Sequence, residues 1–318
     1  MDTVSSPSLC KEQLRERILA CGFDACGFAR VHPVADAAVA EYRSWLDAGK
    51  HFTMGYMENH QEVRDNPALL LDGARTVICI ALNYYPRQLQ PADAPQFSYY
   101  AYGKDYHDVI RRKLAEVTDY MQSATGCRCR VCVDSAPIRE RYWAQEAGIG
   151  FVGRNNQLII PGKGSYFFLA EIVTTLEFEP DEPCRLRCAD CRRCVDACPA
   201  CALPGDYAAL DARSCLSCLT IEYRNGLDEK VAEKLGKRVY GCDECQKVCP
   251  HNRFARPTGV DEFVPAPEFL SLTFDSLRQM SEDDFRRIFK GSAVKRAKYA
   301  GLMRNVEAAL RGMEKKGK

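Results

Sequence analysis

The 318 residues of this chain suffice for one large and one smaller domain, and 46% hydrophobic with 27% charged residues is typical of a well-packed globular protein. The net charge of +1 excludes no class of partner by itself. A secreted disulfide protein would account for 18 cysteines, but the N-terminus shows neither a basic n-region nor an apolar h-region. The apolar runs are too short to span a bilayer. We therefore expect a cytoplasmic protein whose thiolates bind metal, with no membrane partner.

In chain order, the first part of the sequence alternates helical and strand patterns. Periodicity predicts helices over 11–20, 105–123 and 136–147 and strands over 23–31, 77–82 and 131–133. Segments 157–160 and 166–176 are expected to pair as strands through the Pro-Gly-Lys-Gly turn at 161–164. The pattern predicts an α/β or α+β domain over residues 1–180.

Residues 181–256 form a cysteine-rich module. The stretch 188–199 has the spacing C-x2-C-x2-C-x3-C-P, and residues 242–250 repeat its ending without the first cysteine. In bacterial two-cluster ferredoxins the cysteine before the proline binds the other cluster. The spacing therefore predicts a bacterial two-cluster ferredoxin-like module with two 4Fe–4S clusters.

Each cluster should take cysteines from both motifs. The predicted ligands of the first cluster are Cys188, Cys191, Cys194 and Cys249. The predicted ligands of the second are Cys198, Cys242 and Cys245, with Cys215 or Cys218 as the nearest source of a fourth thiolate. Zinc held by four thiolates is the alternative, although it does not require two C-x3-C-P endings.

Residues 257–318 are expected to form a basic helical segment, with helices at 286–289 and 293–310. From residue 278 onward there are twelve Lys and Arg against five Asp and Glu. Such an excess is typical of a nucleic-acid footprint, but a solvated helix face accounts for it equally well.

Asp134 stands out because it follows a strand and precedes Ser-Ala-Pro. A partly buried carboxyl there would have a raised pKa and could hold a proton for donation. The alternative is an N-cap for the helix predicted over 136–147.

Several ordered stretches between about residues 10 and 310 resemble the epoxyqueuosine reductase family. They are 64–67 (Arg-Asp-Asn-Pro), 102–107 (Tyr-Gly-Lys-Asp-Tyr-His), 133–137, 147–155, 164–171, the two cysteine motifs, and Arg296 with 301–305 (Gly-Leu-Met-Arg-Asn). The resemblance implies an oxidoreductase of the last step of queuosine synthesis, which removes the epoxide oxygen of epoxyqueuosine at the tRNA wobble position. It also implies an α+β fold, in which an N-terminal α/β cobalamin-binding domain, nitroreductase-like and reductive-dehalogenase-like, precedes the ferredoxin-like module and the C-terminal helical segment.

The resemblance also implies roles for individual residues. Asp134 would be the proton donor, and Cys215 would complete the second cluster. Cobalamin contacts would fall at Arg64, Ser98, Asp134, Asn155, Leu158, Leu169, Ser217, Cys242 and Asp243. The tRNA contacts would be Glu222, Tyr223, Arg224 and Asn225, of which Arg224 would hold or stack on the anticodon loop.

Further expectations concern partners. We expect a monomer that receives electrons from a low-potential donor of unidentified nature and that contacts the tRNA backbone with the basic segment 278–318. Two other functions fit the residues. One is a related corrinoid and iron–sulfur reductase acting on a small molecule, and the other is a plain electron-transfer protein.

Overall fold

The computed structural model describes residues 9–205 and 209–316. The helices are α1 Lys11–Ala20, α2 Asp36–Asp47, α3 Gln61–Asp65, α4 Tyr106–Thr125, α5 Glu140–Glu146, α6 Arg193–Asp196, α7 Leu216–Ile221, α8 Glu229–Leu235, α9 Glu244–Lys247, α10 Pro267–Leu270, α11 Phe274–Arg278, α12 Glu282–Ile288 and α13 Lys298–Lys316. The strands are β1 Ala25–Arg30, β2 Thr76–Asn83, β3 Gln96–Phe97, β4 Cys129–Cys132, β5 Phe151–Val152, β6 Leu158–Ile159, β7 Phe167–Thr174 and β8 Arg238–Tyr240. None of the helices in these ranges is long and apolar enough to cross a membrane.

A four-stranded antiparallel sheet with the order β1-β2-β7-β4 organises the N-terminal part. Every residue of β2 is buried, because both faces of the sheet are covered. Side chains of alternate residues point to opposite faces, so Ile78 and Ile80 pack with α1 and α4 while Val77 and Cys79 pack with α5. The result is an α+β core with helices on both faces of the sheet, in agreement with the predicted fold class.

The predicted pairing of segments 157–160 and 166–176 is wrong. Strand β6 pairs with β5, and β7 lies between β2 and β4, so only an isolated bridge joins Ile160 to Gly164 across the turn. A short turn favours local pairing, but a strand of eight residues that is buried along most of its length needs a hydrogen-bonded neighbour on each side.

The helix predicted over 136–147 begins only at Glu140. Pro137 disfavours helical backbone at Ala136, and Asp134 has a left-handed φ of 49°. Asp134 is therefore not the N-cap of this helix, and the segment 134–139 forms a loop. Helix α2 was not predicted from the sequence.

A partly buried hydrogen-bond network joins the sheet to the cysteine-rich module. Asn252 donates to Ser165 Oγ (3.0 Å) and to Gln246 O (2.7 Å), and Gln246 Nε2 donates to Ser165 O (2.9 Å). A Cβ on Gly164 would stand 2.3 Å from Asn252 Oδ1, at a φ of 96°. The turn at 161–164 therefore serves to seat the module against the sheet.

The C-terminal helix packs on the same module. Asn305 is fully buried, and its amide donates to Thr220 O and Val239 O, both at 2.8 Å. The predicted helical segment 293–310 is split by Lys298, whose φ is 62°, into a 3-10 turn and α13. Because the core around α13 also includes Phe97, it joins residues from all three predicted parts. The division at 180 and 256 stays a prediction.

Replacing Asn305 with Ala should lower the free energy of unfolding by about 1–3 kcal/mol, since two buried carbonyl groups lose their donors. Chemical denaturation followed by circular dichroism measures this change. Glu307→Ala, at an exposed position of the same helix, is the matched control and should have little effect. Equal stability of the two variants would contradict the assigned role of Asn305.

Candidate active site and cluster cavities

The first of two cysteine-lined cavities has a volume of about 260 Å³. Its cysteines are Cys188, Cys191, Cys194 and Cys249. Three come from the first motif and one from the end of the second, as the ferredoxin spacing predicts. The fold thus brings together the side chains predicted for the first cluster.

The second cavity has a volume of about 300 Å³. Its cysteines are Cys198, Cys215, Cys242 and Cys245. Cys215 stands at the start of α7 and lines the cavity, whereas Cys218 lies one helical turn further on and does not. This difference favours Cys215 as the fourth ligand.

The cysteine side chains are not gathered around a single point in the described part of the chain. Zinc requires four ligand atoms about 2.3 Å from one point. Across residues 9–205 and 209–316, no three His, Cys, Asp or Glu side chains meet closely enough to hold one ion. Burial raises the pKa of Cys242 to about 11, so binding of iron must displace thiol protons.

Asp134 lies on an exposed loop beside a histidine. His107, in the first turn of α4, places Nε2 3.1 Å from Asp134 Oδ2 and Nδ1 2.8 Å from Asp105 Oδ1. Tyr106 stacks on His107 with ring centroids 4.2 Å apart and on Phe168 at 4.1 Å. The histidine is thereby fixed between two carboxylates.

The electrostatics of this pair correct the expected pKa of Asp134. Burial pushes that pKa up, but the hydrogen bond and charge of His107 outweigh it, so the net shift is downward. Hydrogen bonds to Asp105 and then to Asp134 raise the pKa of His107 to about 9. At neutral pH the proton therefore resides on the imidazolium and Asp134 is a carboxylate.

A second titrating carboxyl lies behind Asp134. Glu140 Oε1 accepts a hydrogen bond from the Asp134 backbone N–H at 2.7 Å. Burial, followed by the charge of Asp134, raises the pKa of Glu140 to about 7. At its far end the loop is held by Arg139, which donates to Ala38 O (2.8 Å) and to Asp65.

Five of the predicted cobalamin contacts line the second cavity. They are Ser98, Asn155, Ser217, Cys242 and Asp243. Ser98 Oγ and the Tyr99 backbone N–H (2.8 Å) both donate to the buried Asp243 carboxylate. Aromatic rings including Tyr100 and Phe167 form the apolar part of the wall, and no histidine is among the described lining residues. A wall of buried polar groups and rings fits an amide-bearing macrocycle.

The remaining predicted cobalamin contacts lie outside the lining of that cavity. Asp134 reaches it through Tyr106, which lines the cavity and interacts with Asp134. Arg64 donates to Asn59 O (3.1 Å) on the protein surface. Leu158 is buried beside the sheet, and Leu169 packs against the same hydrophobic cluster.

Among the predicted tRNA contacts, Glu222 is linked to Asp134 through Arg296. Arg296 forms a bidentate ion pair with Glu222 (2.9 and 2.7 Å) and interacts electrostatically with Asp134. The Arg224 guanidinium donates to the backbone carbonyls of Ile221, Ala297 and Arg296. It therefore holds the end of α7 against the segment that precedes α13. The Arg304 guanidinium likewise donates to Tyr223 O and Asn225 O.

Sequence reasoning assigned no role to several side chains around Asp134. The Tyr56 ring lies 5.7 Å from the Arg296 guanidinium and close enough to Asp134 for their charges to interact. Neither Tyr56 nor Glu140 stands in a recognisable motif, so the sequence carried no local signal for them. His107 is the last residue of 102–107, one of the stretches that resemble the family. This resemblance was the only signal in the sequence that His107 belongs to the site.

Comparisons with known proteins agree with this arrangement. Residues 64–135 match a family model described as "Epoxyqueuosine reductase QueG, DUF1730", and residues 187–252 match a "4Fe-4S double cluster binding domain". An epoxyqueuosine reductase of Cellulophaga algicola is 38% identical over 295 residues, covering 92% of this chain and 96% of the relative. The chain belongs to the epoxyqueuosine reductase family.

Solved epoxyqueuosine reductases share the fold. A crystal structure of one with an epoxyqueuosine-modified tRNA stem loop matches with a TM-score of 0.89 and 33% identity, over 96% of this chain and 81% of that one. A Bacillus subtilis epoxyqueuosine reductase, whose catalytic aspartate loop is swung out of the active site, matches with a TM-score of 0.88 and 32% identity, over 96% and 82% of the two chains. The predicted family and fold are confirmed, and the module is one that binds two 4Fe–4S clusters.

Replacing Cys215 with Ser should abolish the second cluster and leave the first, so that about half of the iron is lost after anaerobic reconstitution. Cys218→Ser is the matched control and should retain full iron content, because its thiol does not line the cavity. Iron and sulfide analysis with electron paramagnetic resonance measures both. Loss of a cluster in the Cys218 variant alone would reverse the assignment.

Proposed function

We propose that this protein reduces the epoxide of epoxyqueuosine in the tRNA anticodon loop to the alkene of queuosine. The reaction consumes two electrons and two protons and releases the epoxide oxygen as water. The observation that carries the proposal is the Asp134–His107 pair beside a cavity that the second set of cysteines lines. Electron supply and proton supply thus converge on one pocket.

The cofactors in this proposal are cobalamin and the two 4Fe–4S clusters. Cobalamin would be held by Ser98, Asn155 and Asp243 in the second cavity, and when bound it supplies the reduced centre that passes electrons to the substrate. Electrons would enter at the first cavity. The exposed Arg187 lines this cavity, and the exposed Leu186 precedes it in the chain. A low-potential donor protein is the expected partner there.

The chain's own residues supply the proton. As the epoxide oxygen leaves, it would otherwise depart as an alkoxide, which is a poor leaving group at neutral pH. Asp134, a carboxylate at neutral pH, takes the proton of the His107 imidazolium through the hydrogen bond that joins them and passes it to this oxygen, while Asp105 holds the ring in place. Asp134 is therefore the group that transfers the proton to the substrate, and His107 is the source of that proton.

Tyr56, Glu222 and Arg296 form the polar rim beside Asp134 and would contact the substrate nucleotide. The solved relative with a tRNA stem loop and the relative with a displaced catalytic loop support a site that accepts RNA and a loop 134–139 that moves. Part of the positive charge of residues 278–318 is neutralised within the protein, since Arg286 and Arg287 form ion pairs with neighbouring acidic residues. The exposed Lys290, Lys295 and Lys298 remain for the tRNA backbone.

Asp134→Asn should abolish deoxygenation, because the amide cannot deliver a proton, while both clusters stay intact. The assay incubates reconstituted protein, cobalamin and reductant with tRNA bearing epoxyqueuosine, then follows the loss of one oxygen by nucleoside mass spectrometry. Asp108→Asn, an exposed aspartate in the first turn of α4, is the control and should keep activity.

Wild-type protein that leaves the epoxide intact would overturn the proposed function. Binding of cobalamin without turnover of this tRNA would favour a small-molecule reductase. Absence of corrinoid absorbance after reconstitution would favour an electron-transfer protein.

The rate should stay high through neutral pH and fall as the pH rises through about 9, because His107 then loses the proton that it holds. His107→Gln should remove this limb of the profile and lower the rate by about 10²-fold or more. Single-turnover rates across pH measure both effects. An unchanged limb in the variant would assign the ionisation to another group.

A further inference from the structure

Two exposed apolar side chains flank the first cysteine-lined cavity. Leu186 is 58% exposed and stands next to Arg187, which lines the cavity. Phe254 is 43% exposed and ends the 3-10 turn Pro250–Phe254, whose first two residues also line the cavity. Single exposed apolar residues are common on proteins, so this pair gains its meaning from the charges around it.

Arginines dominate the two segments that carry these side chains, 185–193 and 250–257, which together form the arginine surface. The two segments hold six arginines and one acid, Asp190. All six arginines are exposed: Arg185, Arg187, Arg192, Arg193, Arg253 and Arg256. Of the six, only Arg192 has an ion pair in the described part of the chain, with Asp196 at 3.9 Å. Even with Glu182 and Asp196 on the flanks, the arginines outnumber the acids by two to one.

The charge of the arginine surface is largely not neutralised within the protein. Other exposed arginines do have such partners, since Arg112 pairs with Glu262 and Arg287 with Glu268. Positive charges that lack acidic neighbours repel one another and attract an anionic surface. The arginine surface therefore has the electrostatic character of a docking site for an acidic partner.

The arginine surface includes a loop that carries predicted cluster ligands. Ala189 and Asp190 are exposed between Cys188 and Cys191, both of which line the first cavity. Electron transfer between two proteins needs a close approach of the redox centres but no bond between them. A protein seated on this loop would therefore bring its own redox centre close to the first cluster.

We propose that the arginine surface binds a small acidic flavoprotein that delivers single electrons to the first cluster. Acidic groups of the carrier would pair with the arginines and set its orientation, while Leu186 and Phe254 would contact the apolar edge of the flavin ring. In each encounter the flavin hydroquinone loses one electron to become the semiquinone and the cluster gains that electron, so no bond forms or breaks. Two encounters supply the two electrons that one epoxide consumes. This inference rests on the proposed function for the direction of electron flow.

RNA is the other polyanion that arginines bind. The arginine surface borders the first cavity, whereas Asp134 interacts with Tyr106 at the second, so the substrate nucleotide has to reach the second. Leu186 offers no ring on which a base could stack, and the Arg253 guanidinium already lies 4.5 Å from the centre of the Phe254 ring. These contacts favour the flavoprotein.

Calorimetric titration of the reconstituted protein with oxidised flavodoxin, an acidic flavoprotein, tests the proposal. The Kd should rise about tenfold as the salt concentration is raised from about 0.02 to about 0.2 M, because salt screens the charges. Arg185→Glu combined with Arg253→Glu should raise the Kd about tenfold or more at low salt and remove most of the salt dependence. Neither side chain lines the cavity, so the absorbance of both clusters should be retained.

Matched variants separate these effects from general changes of charge and polarity. Lys230→Glu combined with Arg278→Glu changes the net charge equally, at exposed positions of α8 and α11, and should keep the wild-type Kd. Leu186→Ser combined with Phe254→Ser should raise the Kd about tenfold at both salt concentrations, because salt does not screen apolar contacts. Leu69→Ser combined with Leu89→Ser, at residues 57% and 45% exposed, should leave the Kd unchanged.

Stopped-flow mixing with flavodoxin hydroquinone measures the electron transfer itself. At low salt the clusters of Arg185→Glu/Arg253→Glu should bleach about tenfold more slowly than those of wild-type protein. Dithionite should reduce both proteins to the same extent, because the clusters are intact. A flavodoxin whose acids near the flavin are replaced by lysines should prefer the charge-reversed variant.

No binding of flavodoxin to wild-type protein, or a Kd that is independent of salt, would overturn the proposal. Equal affinity of wild-type protein and Arg185→Glu/Arg253→Glu would do so as well. A weaker Kd for tRNA in that variant, with an unchanged Kd for flavodoxin, would assign the surface to RNA. The titrations use neither tRNA turnover nor cobalamin. A protein that binds flavodoxin as expected but leaves the epoxide intact would therefore contradict the proposed function alone.

Discussion

The exchange of cysteines between the two motifs is the constraint on which the rest of this architecture depends. Each cavity is lined by thiols from both motifs, so residues 188–199 and 242–250 must lie side by side although some forty residues separate them along the chain. The intervening segment returns through α7, where Cys215 enters the second cavity. The network of Ser165, Gln246 and Asn252 then fixes the pair against the sheet. Because Ser165 and Gln246 are buried, the hydrogen bond between them holds the module in one defined position.

The position of the module against the sheet brings redox and acid–base chemistry to one place. Cys242 and Asp243 follow one another in the chain, and Asp243 is tied to Ser98 and Tyr99. A few residues after Tyr99, Tyr106 and His107 begin α4, and both side chains interact with Asp134. The cavity and the proton-holding pair are therefore positioned by a single continuous stretch, 98–107. A displacement of the module would change both together.

The electrostatics around Asp134 show why a carboxyl at the end of a strand cannot be assigned a protonation state from its position. Burial raises the pKa of Asp134, but the hydrogen bond and charge of the imidazolium at 3.1 Å have the larger combined effect. Burial and then the charge of Asp134 raise the pKa of Glu140 to about 7, so this acid titrates near neutral pH. The two acids of this region thus differ because their neighbours differ.

The sequence by itself determined the chemistry that depends on local spacing. The C-x2-C and C-x3-C-P intervals are set by the geometry of a cluster, so they assigned the ligand groups, and the ordered family stretches indicated the reaction. The alternation of buried residues also indicated the main helices and strands. Tertiary structure alone decided which strand neighbours β7, whether Cys215 or Cys218 reaches the cavity, and which groups set the charge of Asp134. These outcomes depend on contacts between residues far apart in the chain, and neither spacing nor periodicity records such contacts.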